Sequence, residues 1–294
     1  MTIKNSNFYK KSKTLKEGVS VSIHTKNSEN DLKELLPQLI NEKVDEINII
    51  DENSTDETIN IAKKFTNNIV ENSPEIGYQR GMLTIKSTSY KYLFSIETDQ
   101  RIFPGIINKL KNKLKDSENF LIHSRLEIKN PKTLFEKFFY HYQKLDSNRK
   151  QLFAPPFLTY NEFYKDLLES NQDIIASGAG VDTSIHEIFF NNNLKFSNID
   201  EFSIQKENYN LKNFCKKFFW YGIGDYNFYK LLRKKWTIIR KIKSLSHVFR
   251  KYFIILTFKS FIRLNLIFTI LIIIAGIIRY YGFIYSIFKR AIKF

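Results

Sequence analysis

Between residues 19 and 100 the chain alternates short apolar runs rich in β-branched residues with longer stretches in which apolar residues recur every three or four positions. Residues 19–23, 47–51 and 92–96 predict strands, and Leu32, Leu35, Leu36 and Leu39 predict a helix over residues 31–40. A helix over 59–65, a short strand around Ile69 and Val70, and a loop at 76–81 that opens a helix to about residue 89 complete the series. Strand and helix in strict alternation argue for a largely parallel sheet and an α/β fold. Residues 130–170 are dense in aromatics, among them Phe135, Phe138, Phe139, Tyr140 and Tyr142, and such stripes are read as core. Near the end, residues 264–278 hold nothing more polar than Asn265 and Thr269; Arg279 then interrupts, and 280–288 is apolar again. Fifteen residues fall short of the roughly 20 that cross a bilayer, so a helical hairpin broken near Gly276 and Gly282, embedded in or lying on a membrane, is expected rather than a single span. A helix buried in a partner subunit is the alternative.

Polar residues gather where the predicted strands stop. Asp51 ends the second strand, and Ser54, Thr55 and Asp56 are N-cap candidates for the helix that follows. In an open α/β sheet the crevice beyond the carboxyl ends of the strands is where ligands bind, although the same residues also make a well-capped strand-to-helix turn. A second carboxylate group, Glu97-Thr98-Asp99, arrives at the end of another strand. Two such groups suit Mg2+ or Mn2+, which take oxygen ligands from one or two carboxylates and complete their shell with substrate phosphates; the bland reading is that they solvate a strand end. Neither a Gly-x-x-x-x-Gly-Lys loop nor a Gly-x-Gly-x-x-Gly turn is present, so the usual backbone phosphate cradles are missing. Farther along, a small-residue stretch at 176–180 precedes Asp182, which either caps the helix to Phe190 or takes a proton from a substrate hydroxyl; His186, one turn on, is a weaker base candidate.

Charge changes the picture for the C-terminal third. The net +16 is not spread evenly: residues 1–211 carry 28 Lys and Arg against 29 Asp and Glu, whereas residues 212–263 carry 14 basic residues against the single Asp225. A neutral domain with a basic, apolar tail reads as one held at an anionic surface. Lysines interleaved with aromatics over 212–224 are compatible with single-stranded nucleic acid, but the adjoining apolar run favours a membrane, and no nucleic-acid partner is expected. The single Cys215 excludes an intrachain disulfide, and five histidines without paired spacing suggest no zinc site, which fits a reducing, cytoplasmic-facing setting. The lysine-rich first 16 residues lack the apolar core of a secretory signal and are expected to be a loosely ordered lead-in.

The runs Val19-Ser-Val-Ser-Ile-His-Thr-Lys-Asn, Ile49-Ile-Asp-Glu-Asn-Ser-Thr-Asp-Glu-Thr, Gly77-x-x-Arg80-Gly81 and Ser95-Ile-Glu-Thr-Asp99 together resemble the family 2 inverting glycosyltransferases of the GT-A fold, over about residues 18–225. The resemblance implies a mostly parallel central sheet with flanking helices, here followed by a basic, apolar helical tail. It implies transfer of a sugar from a nucleotide-diphosphate donor to a glycan or lipid-linked acceptor, assisted by Mg2+ or Mn2+. Thr25, Asn27, Glu29, Asp51, Arg80 and Asp99 are then expected at the nucleotide-sugar, Glu97 and Asp99 at the metal, and Asp182 as catalytic base. The chain departs from the family at His24-Thr-Lys-Asn-Ser28, where Pro-Thr-Tyr-Asn-Glu is common, at Glu97 in place of the first Asp, and at Val181, where the family has an acid before the Asp. Val181 motivates a second reading, a membrane-associated nucleotide-sugar-binding protein without catalysis. The expected organisation is a lead-in at 1–17, a glycosyltransferase domain at 18–225 with a donor half (18–115) and an acceptor half (116–225), and a membrane-associating tail at 226–294 on the cytoplasmic side.

Overall fold

A computed structural model describes residues 3–146, 155–175, 178–206 and 209–291; Ala176 and Ser177 of the small-residue stretch, Phe153 of the aromatic-rich stretch and the basic Lys293 near the chain end lie outside them. In chain order come α1 (Ser6–Lys11), β1 (Lys16–Thr25), α2 (Glu29–Asn41), β2 (Glu46–Asp51), α3 (Thr58–Ala62), β3 (Ile69–Val70), α4 (Tyr78–Ser87), β4 (Tyr90–Glu97), β5 (Gln100–Arg101) and α5 (Ile106–Lys115). They are followed by β6 (Leu121–Glu127), α6 (Leu134–Asp146), β7 (Phe157–Tyr160), α7 (Asn161–Ser170), α8 (Val181–Asn191), β8 (Phe196–Gln205), α9 (Leu211–Leu232), α10 (Ile238–Leu245), α11 (Thr257–Ile262) and α12 (Leu266–Ala291). Two compact units emerge: the described residues of 1–127, 153–175 and 185–206 form one, and those of 128–152, 176–184 and 207–294 the other.

The first unit holds an eight-stranded sheet in the order β3-β2-β1-β4-β7-β6-β8-β5. β1 is parallel to both β2 and β4, whereas β7 runs antiparallel between β4 and β6. Along β1 both the Val19/Val21/Ile23 face and the Ser20/Ser22 face are buried, as befits a central parallel strand covered on both sides. Leu32, Leu35, Leu36 and Leu39 of α2 are fully buried, each contributing about 2 kcal/mol of apolar burial. The lead-in is not loose throughout: α1 is capped by the Asn5 side chain, and Tyr9 is buried against Phe120 and Phe163 with its hydroxyl donating to Asp166 at 2.7 Å.

In the second unit the aromatics predicted as core do pack: Phe138 and Phe139 of α6 meet Phe214 and Phe218 of α9, with Tyr252, Ile272 and Ala275 completing the cluster. The expected break at Gly276 and Gly282 is absent, because α12 runs unbroken through both. A Cβ on Gly282 would stand 2.2 Å from the Phe219 carbonyl oxygen, and one on Gly222 of α9 would stand 2.0 Å from that of Arg279. These glycines therefore serve a close approach of α9 and α12 rather than a turn. Arg279 is tolerated mid-helix because Asp225 of α9 binds it bidentately, Nε to Oδ2 at 2.5 Å and Nη2 to Oδ1 at 2.7 Å, while Nη1 donates to the Tyr252 hydroxyl at 3.0 Å. Within α12 the Leu266–Lys289 segment, of mean hydropathy 2.1, is the one helix among the described residues long and apolar enough to cross a membrane by length and composition.

Candidate active site

Register brings the predicted donor residues of the first unit together. Thr25 pairs with Asp51, and His24 pairs with Ile50 on one side and Glu97 on the other, so β2 and β4 end at the same level on either side of β1. A buried hydrogen-bonded knot follows at the β2 end. Asp51 is 2% exposed; its Oδ1 accepts from Thr25 Oγ1 at 2.7 Å and from Ser54 Oγ at 2.5 Å, and its Oδ2 accepts from the Ser54 amide at 2.8 Å. Asn27 adopts a left-handed conformation (φ 49°), a strained choice outside glycine. The amide of Asn27 donates to Ser54 Oγ at 2.8 Å, and its Oδ1 accepts from the Thr55 amide at 2.8 Å. Glu29 opens α2 close by, its amide donating to Asp56 at 3.2 Å and its carboxylate accepting from the Glu57 amide at 3.3 Å. Asp56 also accepts from the Thr58 amide at 3.1 Å, so it caps the turn into α3 while Ser54 serves Asp51.

Arg80 is 5% exposed and faces the same region indirectly. Its Nε donates to the Pro74 carbonyl at 2.7 Å and its Nη2 to Glu52, which also binds Lys26 at 2.6 Å. Burial alone would raise Glu52, but the bonds from Lys26 and Arg80 outweigh it and hold the carboxyl below its ordinary range.

At the β4 end the chain turns within Glu97-Thr98-Asp99. The Glu97 amide donates to the Gln100 side chain at 3.1 Å, and Thr98 Oγ1 donates to Ser28 Oγ at 3.2 Å, joining this turn to the loop after β1. Asp99 is held from β8: the Gln205 side chain donates to its carboxylate, and the Lys206 amide to its carbonyl at 2.6 Å. Arg101 braces the turn through the Thr98 carbonyl at 2.7 Å and reaches Asp31 and Glu34 of α2 at 2.9 and 3.1 Å. Glu97 and Asp99 offer hard oxygen donors, the type that Mg2+ and Mn2+ take. Among the described residues no group of three or more His, Cys, Asp or Glu converges, so an ion here would draw the rest of its shell from a diphosphate and water. The donor set fits such an ion on those terms.

Asp182, in the second unit, sits at the second position of α8. Its side chain is exposed, yet desolvation by the surrounding protein pushes its pKa up to about 7. His186 on the same helix is half-buried, its ring nearly perpendicular to that of Phe196 with the centroids 5.8 Å apart.

A family model for glycosyl transferase family 2 matches residues 20–187, more than half of the chain. The chain belongs to that family. Structural likeness agrees at the level of the GT-A fold. A crystal structure of S. aureus TarS 1-349 in complex with UDP-GlcNAc shares 16% identity at a TM-score of 0.51, with 80% of this chain and 72% of that one covered. Glucosyl-3-phosphoglycerate synthase from Mycobacterium tuberculosis, in complex with Mn2+, UDP and glucosyl-3-phosphoglycerate, shares 16% at a TM-score of 0.54 over 79% of this chain and 84% of its own. The same synthase with Mg2+ and UDP gives 15% and 0.53 over the same shares. No curated protein sequence matches the chain. In this glycosyltransferase the expected site residues rest on further side chains: Ser54 under Asp51, in place of the helix-cap role expected of it, Glu52 under Arg80 and Lys26, and Gln205 on Asp99. Ser54 and Glu52 lay within the matched motif and were readable as turn residues, but Gln205 arrives from more than a hundred residues away and left no local signal.

Among the described residues, His123 is buried and His24 half-buried, each desolvated beside a cation rather than a counter-charge. Burial, with the Arg80 charge second, pushes the His24 pKa from 6.5 down to about 4, where Nε2 shares a hydrogen bond with Thr84 at 3.1 Å; burial also takes His123 to about 4. Between those values the unfolded chain binds more protons, so stability is full above about pH 6.5 and is lost progressively as pH falls toward 4. Thermal unfolding across that range should show the decline, and it should be shallower in His123→Gln, where His24 alone of the two keeps its shift; a transition temperature independent of pH there would contradict the neutral, desolvated state.

Proposed function

We propose that this glycosyltransferase moves a sugar from a nucleoside-diphosphate donor to a glycan or lipid-linked acceptor, with inversion, on the cytoplasmic side of a membrane. The observation that carries the donor reading is the shared level of the β2 and β4 ends, which sets Asp51 and the Glu97–Asp99 turn on the two sides of β1. The buried Asp51 group, with Thr25 and Asn27, would receive the nucleoside, and Glu29 and Arg80 would support that end. Glu97 and Asp99 would hold a divalent cation, whose contribution is to neutralise the charge that collects on the departing diphosphate. In the transfer, the acceptor oxygen bonds to the anomeric carbon from the face opposite the leaving group, and the bond from that carbon to the diphosphate oxygen breaks. The acceptor proton passes to the Asp182 carboxylate, which must be ionised to take it. The acid-free, basic stretch after Asp225, together with α12, supports attachment of the 226–294 tail to an anionic membrane surface.

Incubation with a panel of nucleotide-sugars and Mg2+ or Mn2+, read as thermal shift and slow donor hydrolysis, tests the reading directly; no response to any donor would defeat it. Asp99→Ala should weaken metal-dependent nucleotide binding by at least about a hundredfold while leaving the circular dichroism spectrum unchanged. Calorimetry showing the same nucleotide affinity for the unaltered protein with and without EDTA would remove the metal from the scheme.

A further inference from the structure

The second unit is apolar on the outside where it ought to be wet. On α12 the side turned inward carries Thr269, Gly282, Ser286 and the Arg279 bound to Asp225, while Ile267, Ile270, Ile274, Ile277 and Tyr281, spaced three and four apart, are 38–62% exposed. The preceding α10 is more pronounced still. None of its eight residues is buried; Ile238, Ile239, Ile242 and Leu245 are 74%, 66%, 60% and 43% exposed. At about 100° per residue, these four occupy only ~120° of the helix circumference, and Arg240, Lys241 and Lys243 lie outside that arc. The helix is nonetheless well formed, with Thr237 capping its start by accepting from the Arg240 amide at 3.3 Å and the Arg240 guanidinium 4.6 Å over the Trp236 ring.

An exposed amphipathic helix of this kind needs a cover for its apolar face, and the surrounding charge says which. No Asp or Glu occurs after Asp225. A second copy laid on this face would bring cations against cations with nothing to neutralise them, whereas an anionic leaflet supplies phosphates to the lysines and hydrocarbon to the isoleucines. We propose that α10 is an interfacial helix lying in the plane of an anionic bilayer, with its isoleucine face in the acyl boundary and Arg240, Lys241 and Lys243 at the headgroups. It deepens the membrane attachment proposed above by separating two contributions: α12 supplies bulk apolar contact, and α10 supplies selectivity for anionic lipid.

Flotation of the full chain with phosphatidylcholine vesicles, with and without phosphatidylglycerol, tests this. The unaltered protein should float with both and favour the anionic vesicles. Reversing the three charges, R240E/K241E/K243E, should abolish that preference, lowering affinity for the anionic vesicles by about a hundredfold with little change on neutral ones. I238D/I242D should lower flotation with both and make what remains releasable by salt, which screens exposed charge but not apolar burial. None of these side chains is buried, so thermal unfolding and donor hydrolysis in solution should match the unaltered protein and keep the transferase chemistry out of the readout. If both variants float like the unaltered chain, α10 is not the interfacial element and α12 suffices alone. If the unaltered chain stays at the bottom, or sediments as a dimer that I238D/I242D dissociates, the membrane assignment itself falls.

Discussion

Replacing Asp182 by Asn is expected to slow sugar transfer by ~10²–10⁴-fold while leaving donor affinity unchanged. The amide keeps the shape of the side chain but cannot accept the acceptor proton, so the loss belongs to the step in which that proton moves. Because desolvation pushes its pKa up to about 7, the rate of the unaltered enzyme should climb with pH and level off above that value. The direction follows from the role: a base works ionised, and a raised acid pKa leaves it protonated in the more acidic range. Pre-steady-state transfer measured against pH would show a single inflection near 7 that disappears in Asp182→Asn. A variant with near-normal turnover would move the proton to His186 or to another group, and a profile flat through neutrality would separate the shifted carboxyl from the chemistry.

The second large effect concerns the Asp225–Arg279 pair. Asp225→Ala should destabilise the second unit by about 3 kcal/mol, since it leaves a guanidinium amid apolar helix packing without its bidentate partner. The figure stands at the lower end of what broken buried pairs cost because the two side chains are still 13% and 24% exposed. Tyr252 offers a hydroxyl to the stranded charge at 3.0 Å but no counter-charge. Replacing both residues, Asp225→Leu with Arg279→Leu, should recover most of the loss, because no uncompensated charge remains. Denaturant unfolding of the three variants measures this; equal stability of Asp225→Ala and the unaltered chain would show that Arg279 finds adequate solvation without the pair.

What could be read early was whatever repeats locally. Strand runs such as Ile47–Ile50 and the leucines of α2 announce their elements because alternation and 3.6-residue spacing are properties of neighbouring positions. Asp51 could be placed at a strand end for the same reason, and the carboxylates at 97 and 99 likewise, since each sits where an apolar run stops. The matched family confirms the class of enzyme that these motifs suggested.

Two expectations failed because they asked local sequence to decide a tertiary question. Gly282 looks like a helix breaker, and Arg279 like a misplaced charge, only while α9 is out of view. Packed against it, Gly282 makes room for the Phe219 carbonyl and Arg279 finds Asp225; Gly276 likewise makes room for Tyr252 and Phe253, so one continuous helix replaces the expected hairpin. Gln205 on Asp99 and Glu52 beneath Arg80 belong to the same class of fact. The sequence by itself determined the α/β alternation, the strand-end carboxylates and the charge division between the two parts of the chain, because period, turn chemistry and composition are carried by adjacent residues. Only the tertiary structure decided which polar groups are satisfied and which apolar faces stay uncovered, because a hydrogen bond or a buried ion pair is a property of two segments, and neither segment holds it alone.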